Sequence, residues 1–222
     1  MALFSFKFNM KHLDNIAKIF SKNHVESTVL DSFDAGKIHL STGKLLACDP
    51  LLTNDMIPYA VTFPKGDFPV IVHQEKDSHQ IAYVEIVFSE NSCVEWEMAT
   101  TEGQNIKNLG KGEIFGFPVA SGMGAFMDEE TQSELNELEN RLFQEKQENF
   151  LGIYEEFFHS AFFKGDDMIH SYALLIPNAQ KKNGLFAFDT GSTEGFYGAY
   201  IGKDADGKPV KIVMELIEIG AD

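Results

Sequence analysis

The chain has 222 residues, of which 44% are apolar and 12% aromatic, enough to bury a sizeable core without a metal or disulfide staple. Its net charge of −16, from 34 acidic and 18 basic residues, repels phosphate backbones, and Arg141 is the lone arginine able to fork a phosphate or carboxylate. Nucleic-acid binding and phosphoryl transfer are thereby disfavoured, and two cysteines, Cys48 and Cys93, make no disulfide framework.

Free thiols suit a reducing compartment, so Cys48 and Cys93 are expected unpaired. Residues 1–7 carry no charged leader, and no apolar run approaches the ~20 residues of a membrane span. A cytoplasmic chain that does not enter a membrane is the expectation.

Met10, Leu13, Ile16, Ala17 and Phe20 have the spacing of a short amphipathic helix, an N-terminal arm within residues 1–24. Strand-like pieces follow at Ser27–Leu30, Lys37–Leu40 and Lys44–Ala47, separated by Gly-containing turns. Pro50 stops the last of them, so Asp49 reads either as a turn residue accepting local N–H groups or as a catalytic carboxylate. Tyr59–Phe63 and Val70–His73 are strands flanking a Pro/Gly turn that holds Asp67. Ile81–Phe88 and Cys93–Ala99 are expected to pair as a β-ribbon. In the second run Val94, Trp96 and Met98 alternate with Glu95 and Glu97, and Trp96 is expected to be a core anchor.

Residues 100–111 read as a loop, and β character returns over 113–126. There Gly122-Met123-Gly124 has no following Rossmann helix and supports no dinucleotide site. From Asp128 the period changes. Leu135, Leu138 and Leu142 line one helical face, with Asp128 or Thr131 as N-cap and Glu137–Arg141 as an i,i+4 pair. After a break at Gly152, Tyr154, Phe157, Phe158, Ala161 and Phe162 form a second face, so residues 129–163 are predicted to be a helical pair. The nine Glu between Glu129 and Glu156 are a solvated face or an interaction surface. Residues 184–219 hold three apolar runs, Leu185–Phe188, Phe196–Ile201 and Val210–Ile217. They are predicted to form a C-terminal β-meander with Asp206-Gly207 in its second turn.

The seven histidines show no H-E-x-x-H spacing, and neither cysteine sits in C-x-x-C. Nucleophile-elbow and phosphate-loop motifs are missing too. No catalytic residue, metal ligand or cofactor is therefore assigned. What remains are carboxylates at strand ends: Asp49, Asp67, Asp128, Asp189, Glu194 and Asp204. Asp49, Asp128, Asp189, Glu194 and Asp204 are the candidate binding residues, since converging carboxylates can hold a cation or act as acid and base. The turn Asp189–Gly195, with two carboxylates and three hydroxyls, is the best candidate site.

Four phrases taken together resemble a bacterial family known as domain of unknown function 4241. They are Thr42–Pro50, Pro64–Val70, Phe117–Asp128 and Ser192–Val213, in that order across roughly residues 40–217. Thr193-Glu194-Gly195 stands where the family has Gly-Asp-Gly, and Glu215-Leu216 where it closes with Asp-Phe. The resemblance implies a shared fold and no particular activity.

The expected fold is α+β in one domain over residues 1–222: a mainly antiparallel, twisted sheet or two-sheet sandwich, with an N-terminal helix and the late helical pair. The expected function is a non-catalytic, protein-binding module of immunity or antitoxin type that takes a basic protein partner. The alternatives are a hydrolase or metal-binding enzyme using Asp49, Asp128, Asp189 and Glu194, or a structural module of a larger assembly.

Overall fold

Two kinds of strand dictate the architecture, those apolar on both faces and those apolar on one. The computed structural model describes residues 11–22, 24–53, 56–110 and 112–220, and places the two kinds in separate antiparallel sheets. The doubly apolar segments are β7 (Met123–Asp128), β11 (Leu185–Asp189) and β2 (Leu45–Cys48), joined by β10 (Tyr172–Leu175). They form a four-stranded sheet in the order β10-β11-β7-β2. Continuous apolar sequence suits a strand covered on both faces.

Strands with interspersed polar residues build a six-stranded sheet, in the order β1 (Leu30–Leu40), β3 (Gly66–Glu75), β4 (Ile81–Val87), β14 (Pro209–Glu215), β13 (Ala199–Lys203) and β5 (Glu95–Met98). Two short pairs complete the strands of the described residues: β6 (Phe117–Val119) with β12 (Gly195–Tyr197), and β8 (Phe163–Lys164) with β9 (Asp167–Met168).

The sheets pack face to face, with Val70, Val84, Ile86, Ile201 and Ile212 of one meeting Leu45, Phe126, Phe186 and Phe188 of the other. This is the α+β sandwich predicted from the sequence, in four layers. Outside the six-stranded sheet lies helix α1 (Lys11–Ile19), which buries Leu13 and Ile16, with Phe20 just beyond it. Met10 and the rest of the N-terminal arm before Lys11 lie outside the described residues. Outside the four-stranded sheet lie α2 (Glu129–Lys146), a π-helical turn at Tyr154–Phe158 and α3 (His159–Phe162), the predicted helical pair. Leu135, Leu138, Phe158 and Phe162 cover Leu46, Met127, Leu185 and Ala187 there.

Two predicted pairings are corrected. β4 and β5 do not form a ribbon, because the β13–β14 hairpin lies between them. Val210–Met214 is buried on both sides and belongs in the sheet interior, whereas the four-residue, Glu-bearing β5 suits an edge. Nor do the three C-terminal runs form one meander. β11 is in the four-stranded sheet and β13–β14 in the six-stranded one, and β12 pairs with β6 where the chain crosses over. Trp96 packs half-buried against the α1 face, its ring 6.4 Å from that of Phe20.

Candidate functional site

Three of the five candidate carboxylates are occupied by the chain's own donors. Asp49 is fully buried and accepts from the Ala120 and Ser121 amides (3.0 and 2.9 Å), the Ser121 hydroxyl (2.8 Å) and the Leu51 amide (3.0 Å). Asp128 is the N-cap of α2, accepting from the Glu130 amide, and it also takes the Thr42 and Gly43 amides at 3.0 and 3.1 Å. Asp204 accepts from the Asp206 and Lys208 amides and from Asn91 Nδ2, and these bonds, the Lys208 amide first, hold its carboxyl below the usual range. A carboxylate filled in this way anchors a loop. Asp67 pairs with His39 at 2.7 Å across β1 and β3, and Glu194 is exposed.

Topology separates the candidates further. β7 runs with Met123 opposite Asp189 and Asp128 opposite Leu45, so Asp128 and Asp189 lie at opposite ends of a strand. At about 3.3 Å per residue, five steps put them roughly 16 Å apart. Asp204 belongs to the hairpin of the other sheet. Asp49, just past β2, is at the Asp189 end, where its bonds fix the 120–121 loop. Among the described residues no three His, Cys, Asp or Glu side chains are placed to hold a metal ion.

At that end of the sandwich the Asp189–Gly195 turn borders a pocket of about 370 Å³. Thr190 ties the turn to the neighbouring loop, its amide and hydroxyl both donating to the Gly122 carbonyl at 2.9 and 3.1 Å. Asp189 accepts from the Gly191 amide (3.1 Å) through Oδ1. The floor is Ser121 and Met123, and the far wall is Tyr154, Phe162 and Phe163 of the helical segment. Gln80, at the tip of the β3–β4 hairpin, closes one side. The Gly-rich 122–124 motif serves this corner. Gly122 adopts φ +78°, and a Cβ on Gly124 would sit 2.5 Å from the Phe188 ring.

A polar chain that the linear reading missed runs from exposed Ser32 into the buried outer face of the six-stranded sheet. Ser32 Oγ and His73 Nδ1 share a hydrogen bond of 2.8 Å, and His73 Nε2 is 3.1 Å from Glu85 Oε2. Lys211 Nζ is 2.5 Å from Glu85 Oε1, a charge contact without hydrogen-bond alignment. His73, Glu85 and Lys211 are each at most 3% exposed. Burial alone would raise the Glu85 carboxyl, but the His73 hydrogen bond and the Lys211 charge outweigh it and hold it below 4.5. Ser, His and Glu in this order suggest a nucleophile relay, but the Glu85 charge already faces Lys211, and Phe20 covers the His73 ring at 5.2 Å. The signal available in the sequence was alternation, which puts Tyr83 with Glu85 and Lys211 with Val213 on one face of adjacent strands.

Both cysteines are free. Burial raises the Cys48 thiol far above neutrality and pushes that of Cys93 up to about 11, so neither is a thiolate nucleophile at neutral pH.

The outward side of α2 and the turn after it is acidic. Glu137, Glu139, Glu145, Glu148 and Glu155 are exposed, and among them Phe143 and Leu151 are 48% and 74% exposed. Phe143 stacks edge-on against Phe150 at 5.9 Å, which holds its ring at the surface. No helix of the described residues is long and apolar enough to cross a membrane.

Residues 38–214 match the family described as Protein of unknown function (DUF4241), and the chain belongs to that family. No curated protein and no solved structure matches it.

Proposed function

We propose that this chain is a non-catalytic, acidic binding module of the bacterial cytoplasm, of immunity or antitoxin type, that captures a basic protein partner. The observation supporting this reading is the outer face of α2. Glu137, Glu139, Glu145, Glu148 and Glu155 are exposed on it and on the turn beyond, within a stretch, residues 129–156, that holds nine Glu against one Arg and one Lys in a chain of net charge −16. Exposed Phe143 and Leu151 supply apolar anchors inside that acidic rim. Complementary charge speeds encounter with a basic partner, and the aromatic and aliphatic groups hold it.

A hydrolase or metal enzyme built on Asp49, Asp128, Asp189 and Glu194 draws less support, since Asp49 and Asp128 already accept several bonds each from the protein itself.

The test is capture of basic proteins from the native host at low salt, by wild type and by the triple variant Glu137→Lys, Glu145→Lys, Glu148→Lys. The wild type should retain a basic partner that the variant loses at unchanged melting temperature, with retention weakening as salt rises. Retention of the same partner by the variant would sink the reading.

A further inference from the structure

The pocket at the Asp189 turn is walled on one side by aromatic rings and closed on the other by polar groups. Asp189 is the single carboxylate among its lining residues, and Lys, Arg and His are missing from that lining. One carboxyl oxygen accepts from the Gly191 amide, and the other takes no hydrogen bond within the described residues. Ser192 and Thr193 add hydroxyls beside it. Opposite stand Tyr154, Phe162 and Phe163, with Met123 below and half-exposed Met168 at the rim.

Carboxylate on one side, aromatic rings on the other, inside a strongly acidic protein, is an arrangement that repels anions and attracts positive charge. Ring faces carry negative potential, and thioethers pack against alkyl or aryl stems. A volume near 370 Å³ admits a ligand of a dozen or so heavy atoms.

We propose that this pocket binds an organic cation, an ammonium or guanidinium group on an alkyl or aryl stem, with the charged end on Asp189 and the stem along Tyr154, Phe162 and Phe163. Asp49 is a positioning residue for this site. By accepting from Ser121 it fixes the loop that forms the pocket floor. Such a cation comes from a free amine or from a Lys or Arg side chain of a protein. The site meets the acidic helical surface only at Tyr154, beside Glu155, and uses none of its charged groups, so the two readings fail independently.

The test uses the full chain with isotope-labelled methionine methyls, titrated with 4-phenylbutylamine, with its neutral counterpart 4-phenylbutan-1-ol, and with a blocked Gly-Arg-Gly peptide. The amine should shift the Met123 and Met168 signals at low-millimolar concentration and bind about tenfold or more tightly than the alcohol. Asp189→Asn, which keeps an oxygen for the Gly191 amide and hence the turn, should remove that advantage without moving the melting temperature. Binding of the peptide as tight as that of the amine would assign the site to a protein side chain, and binding of the amine alone to a free molecule. Equal affinity for amine and alcohol, an Asp189→Asn variant that still prefers the amine, or unmoved Met123 and Met168 signals with every probe would overturn the proposal. Loss of partner capture in the α2 charge-reversal variant, with amine binding intact, would bear on the partner surface alone.

Discussion

The outer faces of the two sheets solve the same problem in different ways. Leu46, Met127, Leu185 and Ala187 of the four-stranded sheet meet Leu135, Leu138, Phe158 and Phe162, an apolar seam under two helical segments. On the six-stranded sheet the nine-residue α1 covers a face that mixes Tyr83, Tyr200 and Val213 with His73, Glu85, Lys211 and Glu215. The first face gains stability in rough proportion to the area it removes from water. The second must offset each charge it buries, which it does by setting a counter-group against Glu85 and Glu215, while Glu215 Oε1 and the Tyr200 hydroxyl take no hydrogen bond among the described residues. Besides Glu85–Lys211, His12 Nδ1 from α1 reaches Glu215 Oε2 at 2.6 Å, and the Tyr83 hydroxyl accepts from the Ile219 amide at 3.0 Å. An apolar face is robust to small errors, whereas a charged one is specific and fails sharply when one partner is removed.

Breaking one partner on the charged face is the most damaging change. Glu85→Ala leaves Lys211 buried without a counter-charge and should cost about 3–5 kcal/mol in urea unfolding. Replacing both at once, Glu85→Met with Lys211→Met, should recover most of that loss, because removing a buried pair together is often neutral or stabilising. A double variant as unstable as Glu85→Ala would show that the residues do not act as a pair. On the apolar face, Leu185→Ala removes a fully buried side chain and should cost about 2–5 kcal/mol, with no second substitution elsewhere on that face restoring it.

Next in size is the brace beneath the pocket. Asp49→Ala strands the Ala120 and Ser121 amides and should lower stability by about 1–3 kcal/mol, while Asp49→Asn retains one acceptor and loses less. The Met123 methyl signal should report disturbance of the loop in the alanine variant.

The smallest effects, and the ones that sharpen the comparison most, come from pH. Glu85 titrates below its ordinary 4.5 in the folded state, so the stability it contributes is present above pH 4.5 and fades as pH falls through the lower folded value. The advantage of wild type over Glu85→Gln should therefore shrink on acidification. Glu215 has the opposite sign. Burial raises it against the pull of His12, so its contribution is greatest below pH 4.5 and is lost as pH rises through the higher folded value. Glu215→Gln should accordingly gain on wild type between pH 4 and neutrality. Parallel pH profiles for the two variants would contradict this assignment.

Much of the scaffold was legible along the chain. Apolar runs with turn residues between them marked the strands, the change to helical period at Asp128 marked α2, and the Asp189–Gly195 turn marked the pocket's edge. Strand partners were not legible, because an apolar run is equally content beside any other. Ile81–Phe88 therefore looked like the mate of Cys93–Ala99, until the β13–β14 hairpin came between them. The roles of the carboxylates were half hidden for a related reason. In the linear chain Asp49 reads as a turn residue and Asp128 as an N-cap, and the Leu51 and Glu130 amides fill those local roles, but only the approach of loops 120–121 and 42–43, about 70 and 85 residues away in sequence, supplies the remaining donors.

Local chemistry alone determined that this protein would be acidic, would alternate or saturate its strands with apolar groups, and would start its long helix after Asp128. Those outcomes rest on interactions within a few residues. Tertiary structure decided which strands became neighbours, that Glu85 and Lys211 would be shut away from water together, and that an aromatic wall would stand across from Asp189. Each of these depends on segments far apart in the chain, and on a long-range contact being stabilised only once the sheets have closed on each other.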